Sequence, residues 1–268
     1  MTGNIRSVVM FRALLVDRGA LKNMTHQLEY LEAMGIQAWQ LRDAGVTEPI
    51  AEAVTEPVQS PEKIAPAPVV PVPEILRPDV SGMGWGELKQ AVSQCQLCDL
   101  HSSRTQTVFG VGNHAADWLI IGEAPGKDED LQGEPFVGRA GQLLNAMLLA
   151  IGLKREHVYI ANILKCRPPE NRDPKPGEVA CCEAYLMRQV ALIQPKMILA
   201  VGRIAAQNLL KTDTPIGKLR GEVHHLGDTG IPVVATYHPA YLLRSPGEKR
   251  KAWQDLQLAV ATVKCHPE

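Results

Sequence analysis

No apolar stretch of the 268-residue sequence approaches the roughly 20 residues that a membrane-spanning helix needs. Charge of neither sign is in excess, because 28 Lys and Arg face 29 Asp and Glu, a net charge of −1. This balance gives no overall basic surface and by itself does not indicate a nucleic-acid partner. Charged residues such as Arg6 and Asp17 interrupt the short apolar runs at the start, which argues against a signal peptide. We therefore expect a cytosolic protein with no membrane partner.

Aromatic residues are scarce, at 4% of the chain, and only six residues are cysteine. In the cytosol, cysteines serve more often as metal ligands or buried thiols than as disulfides. Cys95 and Cys98 form a C-x-x-C pair, which suits a metal ion, a cluster or a redox disulfide. A disulfide of the thioredoxin type lies at a helix start just after a strand, and no strand pattern precedes Cys95. Four thiolates suit zinc or an iron–sulfur cluster, and spacing alone leaves both open.

The sequence divides into three parts. Residues 1–45 predict an N-terminal helical extension, because apolar side chains recur at helical spacing within residues 24–44; Met24 is an alternative start of the chain. Residues 46–83 are rich in proline and predict an extended, disordered linker, because this composition cannot bury a core. Residues 84–268 have the pattern of one compact domain.

Inside that domain, short apolar runs alternate with helical patterns. Four runs have the β-branched composition of strands that are buried on both faces, at 118–121, 158–163, 197–201 and 231–235. Helical spacing is found between or after them, at 139–152, 176–193, 203–211 and 247–264. This alternation predicts the α/β class, with a central four-stranded parallel sheet flanked by helices.

Polar residues follow three of the predicted strands. Glu123 comes after the first run, Asn162 lies at the end of the second, and His238 follows the fourth. Ligands of open parallel sheets bind outside the carboxyl ends of the strands, so we expect these three side chains to converge. Each also has a simpler interpretation: a solvated loop carboxylate, an Asn that caps backbone groups, and an exposed or structural His.

The chemistry of these residues suits a flat, hydrogen-bonding ring. Asn162 offers both donors and an acceptor, and His238 could donate to an oxygen that gains negative charge. Phe136 lies in a Gly- and Pro-rich loop where its ring could stack on a flat substrate, although core packing is the simpler explanation. The stretch 241–244 places two leucines beside an arginine and could wedge into a base stack, or could simply begin a helix. We expect His224 and His225 to lie at the surface near a turn.

Four motifs in order resemble the iron–sulfur uracil-DNA glycosylases known as family 4. They are Gly122-Glu-Ala-Pro-Gly126, Gly133-Glu-Pro-Phe-Val-Gly-Arg-Ala-Gly141, Asn162-Ile-Leu-Lys-Cys-Arg-Pro-Pro169 with Asn171-Arg-Asp-Pro174, and His238-Pro-Ala-Tyr-Leu-Leu-Arg244. The resemblance covers about residues 85–262. It implies an enzyme that hydrolyses the N-glycosidic bond of uracil in single- or double-stranded DNA and thereby initiates base excision repair in the bacterial cytosol or nucleoid.

The resemblance implies roles for the residues at the strand ends. Glu123 and His238 are the implied catalytic residues: the carboxylate positions water and offsets positive charge on the sugar, and the imidazole stabilises negative charge on uracil O2. The implied substrate-binding residues are Gly122, Phe136, Asn162 and His238. Phe136 stacks on the flipped base. Asn162 forms hydrogen bonds with the N3–O4 edge of uracil, and the donor and acceptor positions of that edge are reversed in cytosine.

The resemblance also implies DNA contacts and a cofactor. The implied DNA-binding residues are Leu242, Arg244, Lys165 and Arg167. The family's cysteine spacing selects Cys95, Cys98, Cys166 and Cys182 as ligands of a [4Fe–4S] cluster, which leaves Cys181 and Cys265 as free or buried thiols. The cluster has a structural role in this interpretation, because uracil excision needs no electron.

Two other functions fit parts of the sequence. One is a non-catalytic iron–sulfur module that binds nucleic acid or senses damage, and the other is a zinc-stabilised hydrolase of free nucleosides or nucleotides. The converging Glu123, Asn162 and His238 favour an enzyme over the first, and the 241–244 stretch favours a polymeric substrate over the second. We expect a monomer, with the N-terminal extension docking a replication or repair protein.

Overall fold

The computed structural model describes residues 78–265. The predicted extension, its docking role, and the predicted linker up to residue 77 lie outside this range and stay predictions. Val80 is buried in a small apolar cluster with two side chains of helix α1 (Trp85–Ser93), so packed structure is present from Val80 onward. Among the described residues, no helix is both long enough and apolar enough to cross a bilayer.

A six-stranded mixed sheet lies at the centre of the described residues. Its strands are β1 (Val111–Gly112), β2 (Trp118–Gly122), β3 (Tyr159–Asn162), β4 (Met197–Val201), β5 (Val223–His225) and β6 (Pro232–Thr236). Their order is β1-β3-β2-β4-β6-β5. The four inner strands are parallel, and the two outer strands are antiparallel to their neighbours. The α/β class and the four parallel strands are confirmed, whereas the expected total of four strands was two too few.

The edge strand β5 contains two of the histidines that were predicted near a turn. His225 is exposed and His224 is partly buried, with its Nε2 atom 2.7 Å from the carbonyl oxygen of Leu219. β5 is the edge strand of the sheet, and β4 and β6 separate it from β2, after which Glu123 lies.

Helices cover both faces of the sheet. After α1 they are α2 (Leu100–Ser103), α3 (Lys127–Gln132), α4 (Arg139–Ala150), α5 (Pro176–Ile193), α6 (Arg203–Leu210), α7 (Ile216–Leu219), α8 (Pro239–Arg244) and α9 (Lys249–Cys265). The four helical patterns of the sequence correspond to α4, α5, α6 and α9, with bounds that differ by at most two residues.

Alternation along each inner strand divides the core into two layers. In β2, Leu119 and Ile121 pack with side chains of α5 and α6, whereas Trp118 and Ile120 pack with side chains of α4 and α9. Every residue of β2, β3 and β4 is buried, which explains why their sequences are continuously apolar rather than alternating. A sheet covered on both faces leaves its strand ends as the places where loops can build a pocket.

The register places the predicted site residues at one edge of the sheet. Gly122 and Asn162 are directly paired at the ends of β2 and β3, and Val201 is paired with Thr236 at the ends of β4 and β6. Glu123 is the residue after β2, and His238 follows β6 by two residues. The convergence of these side chains therefore results from strand register and not from sequence proximity.

Candidate active site

A cavity of about 440 Å³ lies at these strand ends. Glu123, Phe136, Asn162 and His238 all line it, as the sequence predicted. Its wall is completed by the Glu123 turn, the loop after β3 and the start of α8. The cavity is large enough for a pyrimidine base with its sugar, and it combines an aromatic ring with a few polar groups, as ligand pockets do.

Asn162 presents an acceptor that nothing in the described chain satisfies. The side chain is 2% exposed, and its Oδ1 atom has no hydrogen-bond partner among residues 78–265. The backbone carbonyl of the same residue accepts a hydrogen bond of 3.0 Å from Lys165 Nζ, which fixes the end of β3. Since buried polar atoms normally have partners, the free oxygen marks a place where a ligand donor is expected.

His238 is held in one orientation by the turn that begins α8. Its Nδ1 atom accepts a hydrogen bond of 3.2 Å from the backbone N–H of Ala240, so the neutral imidazole carries its proton on Nε2. The pKa of His238 is lowered to about 4, mainly by burial and also by the nearby positive charge of Arg244. At neutral pH the ring is therefore an uncharged N–H donor.

Phe136 lies against the histidine and the floor of the cavity. Its ring centroid is 5.7 Å from that of His238, with 30° between the ring planes. A Cβ atom at position 122 would lie 2.6 Å from Phe136 Cζ and 2.5 Å from Asn162 Oδ1. The absence of a side chain at Gly122 thus lets the ring and the amide approach each other.

Glu123 lies in the half-buried turn after β2. Burial raises the pKa of Glu123 to about 7, repulsion from Asp173 adds to this, and the positive charge of Arg203 opposes it. Asp173 and Arg203 form an ion pair of 2.6 Å between the loop after β3 and the start of α6. A carboxyl group with a pKa near neutrality is a recognised property of catalytic acids and bases.

Glu129, on α3, has a role that the sequence did not reveal. Its Oε2 atom accepts from the backbone N–H of Gly126, and its Oε1 atom accepts from the N–H groups of Val137 and Gly138 at 2.9 and 3.2 Å. One carboxylate therefore joins the Glu123 turn to the Phe136 loop. Between the two Gly-rich motifs the sequence has the acidic run Asp128-Glu-Asp130, and nothing in that run distinguishes Glu129 from its neighbours.

Asn171 is a second cavity residue without a predicted role. It lies in the loop after β3, faces the cavity and has a φ of 55°. Its Oδ1 atom accepts a hydrogen bond of 2.8 Å from Arg167 Nε. Asn tolerates this left-handed conformation better than most residues. The Pro168-Pro169 pair before it was the sequence signal for a tight turn at the pocket wall.

Two of the side chains that were predicted to contact DNA are buried in this structure. Lys165 is 1% exposed, and its ammonium is bound inside the protein by the Asn162 carbonyl and by Gln189 Oε1 at 2.6 Å. Leu242 is 0% exposed and packs in the core layer that contains α4. Neither side chain is exposed at the surface of this structure.

Other side chains of the same segments are exposed. α8 buries Leu242 and therefore turns Tyr241 and Leu243 outward, at 37% and 38% exposure, next to the exposed Arg244. Arg167 is half-buried and bonded to Asn171 at the cavity wall. Arg244 and Arg167 thus keep positions compatible with the sequence prediction.

Five cysteines lie around one small cavity behind the site. It is lined by Cys95, Cys98, Cys166, Cys181 and Cys182, together with Arg104 and Lys165. All five are free thiols, and no three His, Cys, Asp or Glu side chains of residues 78–265 already form a group that could hold a metal ion.

The donor set nevertheless fits a thiolate-bound group. Sulfur is the ligand of iron–sulfur clusters, and the thiolate charge has cationic neighbours, since Arg104 Nη1 donates to Cys166 Sγ at 3.1 Å. Burial raises the pKa of Cys182 to about 12, so this thiol is protonated unless a bound cation draws off its proton. Cys181 differs from the others because its thiol donates to the Leu97 carbonyl at 3.3 Å.

Comparisons with known proteins agree with this geometry. Residues 109–257 match the family model described as "Uracil DNA glycosylase superfamily". A "Type-4 uracil-DNA glycosylase" of Archaeoglobus fulgidus is 50% identical over 166 residues, which is 60% of this chain and 83% of that protein. Another of Thermotoga maritima is 41% identical over 181 residues, 66% of this chain and 93% of that protein. A "Type-5 uracil-DNA glycosylase" of Pyrobaculum aerophilum is 30% identical over 148 residues, 49% of this chain and 64% of that protein.

Proposed function

Since the chain belongs to the uracil DNA glycosylase superfamily, we propose that the cavity at its strand ends is where it hydrolyses the N-glycosidic bond of uracil in DNA and leaves an abasic site. The observation that carries the assignment of the site is the unpartnered Oδ1 atom of Asn162, which faces a cavity beside an aromatic ring and an imidazole N–H donor. A non-catalytic binding module is not favoured, because the relatives that match over most of their length are glycosylases.

In this proposal, uracil leaves the base stack and enters the cavity. The ring stacks against Phe136, its N3–H donates to Asn162 Oδ1, and its O4 accepts from Asn162 Nδ2. Cytosine offers an acceptor at N3 and donors at the exocyclic amine, so it would leave the buried amide unpaired. A site built around such hydrogen bonds rejects the wrong ligand strongly.

Bond cleavage moves negative charge onto the base and positive charge onto the sugar. His238 Nε2–H donates to uracil O2 and stabilises the departing anion in a buried, preorganised site. The ionised Glu123 offsets the developing charge on the sugar and orients the water that attacks it. These roles place a hydrogen-bond donor at the departing base and a negative charge at the sugar.

DNA itself contacts the rim of the cavity. We assign the wedge that enters the base stack to Tyr241 and Leu243, which α8 exposes, and phosphate contacts to Arg244 and Arg167. The substrate is uracil in single- or double-stranded DNA, and the enzyme works as a monomer in the cytoplasm.

A uracil-containing oligonucleotide tests the function directly. Purified protein should convert each uracil into an alkali-labile abasic site, in both single- and double-stranded substrates, and should leave a matched thymine oligonucleotide intact. The readout is strand cleavage after alkali, together with chromatographic detection of free uracil. Absence of both products at stoichiometric enzyme would contradict the assignment.

The pH dependence follows from Glu123. Because the carboxylate is the active form and the pKa of Glu123 is about 7, the single-turnover rate should rise with pH through neutrality and level off about one unit above. Arg203 lowers this pKa, so Arg203→Gln should move the midpoint upward, whereas Asp173→Asn should move it downward. Rate profiles from about pH 5 to 9 at constant ionic strength measure both shifts. A wild-type midpoint near the ordinary value for Glu, about 4.5, would be inconsistent with this assignment.

We also propose that Cys95, Cys98, Cys166 and Cys182 hold a [4Fe–4S] cluster. The group would join the segment before β2, the loop after β3 and α5, and thereby brace the strand that carries Asn162. Its contribution in this protein is cross-linking, because the proposed reaction includes no redox step.

Adjacent cysteines in α5 supply a matched test of this ligand set. Cys182→Ser should lose iron and acid-labile sulfide and unfold at a lower temperature than wild type, since a metal site adds its binding free energy to folding. Cys181→Ser should keep about four iron atoms per chain, like wild type. Elemental analysis and thermal unfolding of both variants decide the matter. Equal iron content in the two variants would contradict the proposed ligand set. Colourless protein with stoichiometric zinc would exclude the cluster.

A further inference from the structure

The backbone at Phe136 is in a conformation that a bulky residue rarely adopts. Its φ angle is 54°, in the left-handed region that glycine prefers. Nevertheless the side chain is 7% exposed and well packed against His238 and the site of Gly122. A strained conformation of this kind persists only when the surroundings hold it in place.

Arg155 holds the loop from one side. It lies in a short 3₁₀ helix before β3, and its Nη2 and Nη1 atoms donate to the carbonyl oxygens of Pro135 and Phe136 at 2.5 and 3.3 Å. Nη1 also donates to Asn145 Oδ1 at 3.2 Å, so a side chain of α4 orients the guanidinium. The planar fork thus binds two consecutive carbonyls, which a lysine ammonium cannot do with the same geometry.

Glu129 and Gly141 also restrict the position of the loop. Glu129 accepts the N–H groups of Val137 and Gly138, so the backbone is bound on both sides of the left-handed residue. A Cβ atom at Gly141 would lie 1.8 Å from the Phe136 carbonyl oxygen, and the loop therefore fits only against a glycine. Four backbone groups around Phe136 have fixed partners, namely the carbonyls of residues 135 and 136 and the N–H groups of residues 137 and 138.

We infer that Arg155 is a positioning residue for uracil recognition. It locks Phe136 in the left-handed conformation, so that the ring already occupies the stacking position before the base enters. Arg155 itself does not line the cavity, so its effect on the base passes through the phenyl ring. The inference rests on the proposed function, because it assigns the stacked ligand to the flipped uracil. Without the Arg155 contacts the loop relaxes, and part of the binding free energy of the base is then spent on reordering the phenyl ring.

A double-mutant cycle isolates this effect. Arg155→Gln should lower kcat/KM for a uracil oligonucleotide by about tenfold or more, mainly through KM, and should weaken inhibition by free uracil. In a Phe136→Leu background, the same Arg155→Gln change should cost less than about threefold, since the ring on which it acts is gone. Equal losses in the two backgrounds would overturn the inference.

Two variants control for folding. Arg155→Lys keeps the charge and one donor direction, so it should give an intermediate loss and remain folded. Arg188→Gln removes a guanidinium–carbonyl bond of 2.7 Å to Met83 that lies outside the cavity, and it should lower the melting temperature without raising KM. A KM increase in Arg188→Gln equal to that in Arg155→Gln would assign the effect to general loosening of the fold and would also overturn the inference.

Fluorine NMR tests the lock without any assay of activity. The chain has three phenylalanines, so protein labelled with 4-fluorophenylalanine should show three resonances, with Phe136 identified by Phe136→Leu. Arg155→Gln should broaden or shift the Phe136 resonance and leave that of Phe109 in place. An unchanged Phe136 resonance would refute the lock even if the enzyme is active. If the resonance shifts but wild-type protein removes no uracil, the lock stands, and the proposed function and the base assignment both fail.

Discussion

Asn162→Asp will release cytosine from DNA, and the preference for uracil over cytosine will fall by at least about a hundredfold. The amide of Asn162 is buried at the end of β3, and burial favours the protonated form of an acid placed there. A protonated Asp can donate to cytosine N3 and accept from its exocyclic amine. The protonated form can also pair with uracil, by donating to O4 and accepting from N3–H. The ionised form accepts from the cytosine amine but repels uracil O4, so the variant should excise both bases and lose part of its activity on uracil.

Competition between two oligonucleotides measures this change. One contains a single uracil and the other a single cytosine at the same position, and alkali cleavage reports excision from each. Asn113→Asp is a matched control, because it makes the same chemical change at an exposed residue that does not line the cavity. Retained strict selectivity in Asn162→Asp would show that another group reads the base edge.

The second large effect is expected at His238. His238→Leu should lower the single-turnover rate by about a hundred- to a thousandfold, the usual cost of removing a donor to a developing anion. Binding of the DNA should change little, because the bond to O2 strengthens mainly as the base leaves. Since the pKa of His238 is about 4, the wild-type rate should show no inflection from this residue between about pH 5 and 8.

Single-turnover rates and fluorescence anisotropy separate the two quantities for His238. The exposed His225 on β5 offers the matched control, and His225→Leu should leave both the rate and the dissociation constant unchanged. A loss below tenfold in His238→Leu, or an equal loss in DNA affinity, would mean that the imidazole binds ground-state DNA and not the departing uracil anion.

The inner part of the fold was predictable because continuous apolar runs mark strands that are buried on both faces. β1 and β5 escaped detection because they have two and three residues and no apolar run of their own. The convergence of Glu123, Asn162 and His238 was predictable from topology alone, since carboxyl ends of parallel strands share one edge. Family motifs then supplied the roles, which remain to be tested.

Exposure of single side chains was not predictable in the same way. Lys165 follows a strand and looked available to DNA, but the amide of Gln189, which approaches from α5, draws its ammonium inward. Leu242 looked like a wedge, but the first turn of α8 directs it into the core and directs Leu243 outward. Both outcomes depend on contacts with elements that are distant in sequence, and no local pattern encodes them.

The contact between Lys165 and Gln189 also limits how this sequence can evolve. The Gln189 amide accepts from Lys165 and donates to the Phe109 carbonyl, 2.9 Å away, and all of these atoms are buried. Replacing Gln189 alone would leave an ammonium with one acceptor fewer, and replacing Lys165 alone would free the carbonyl of Asn162. Among homologues, positions 165 and 189 should therefore covary, and lineages that abandon one residue should abandon the other.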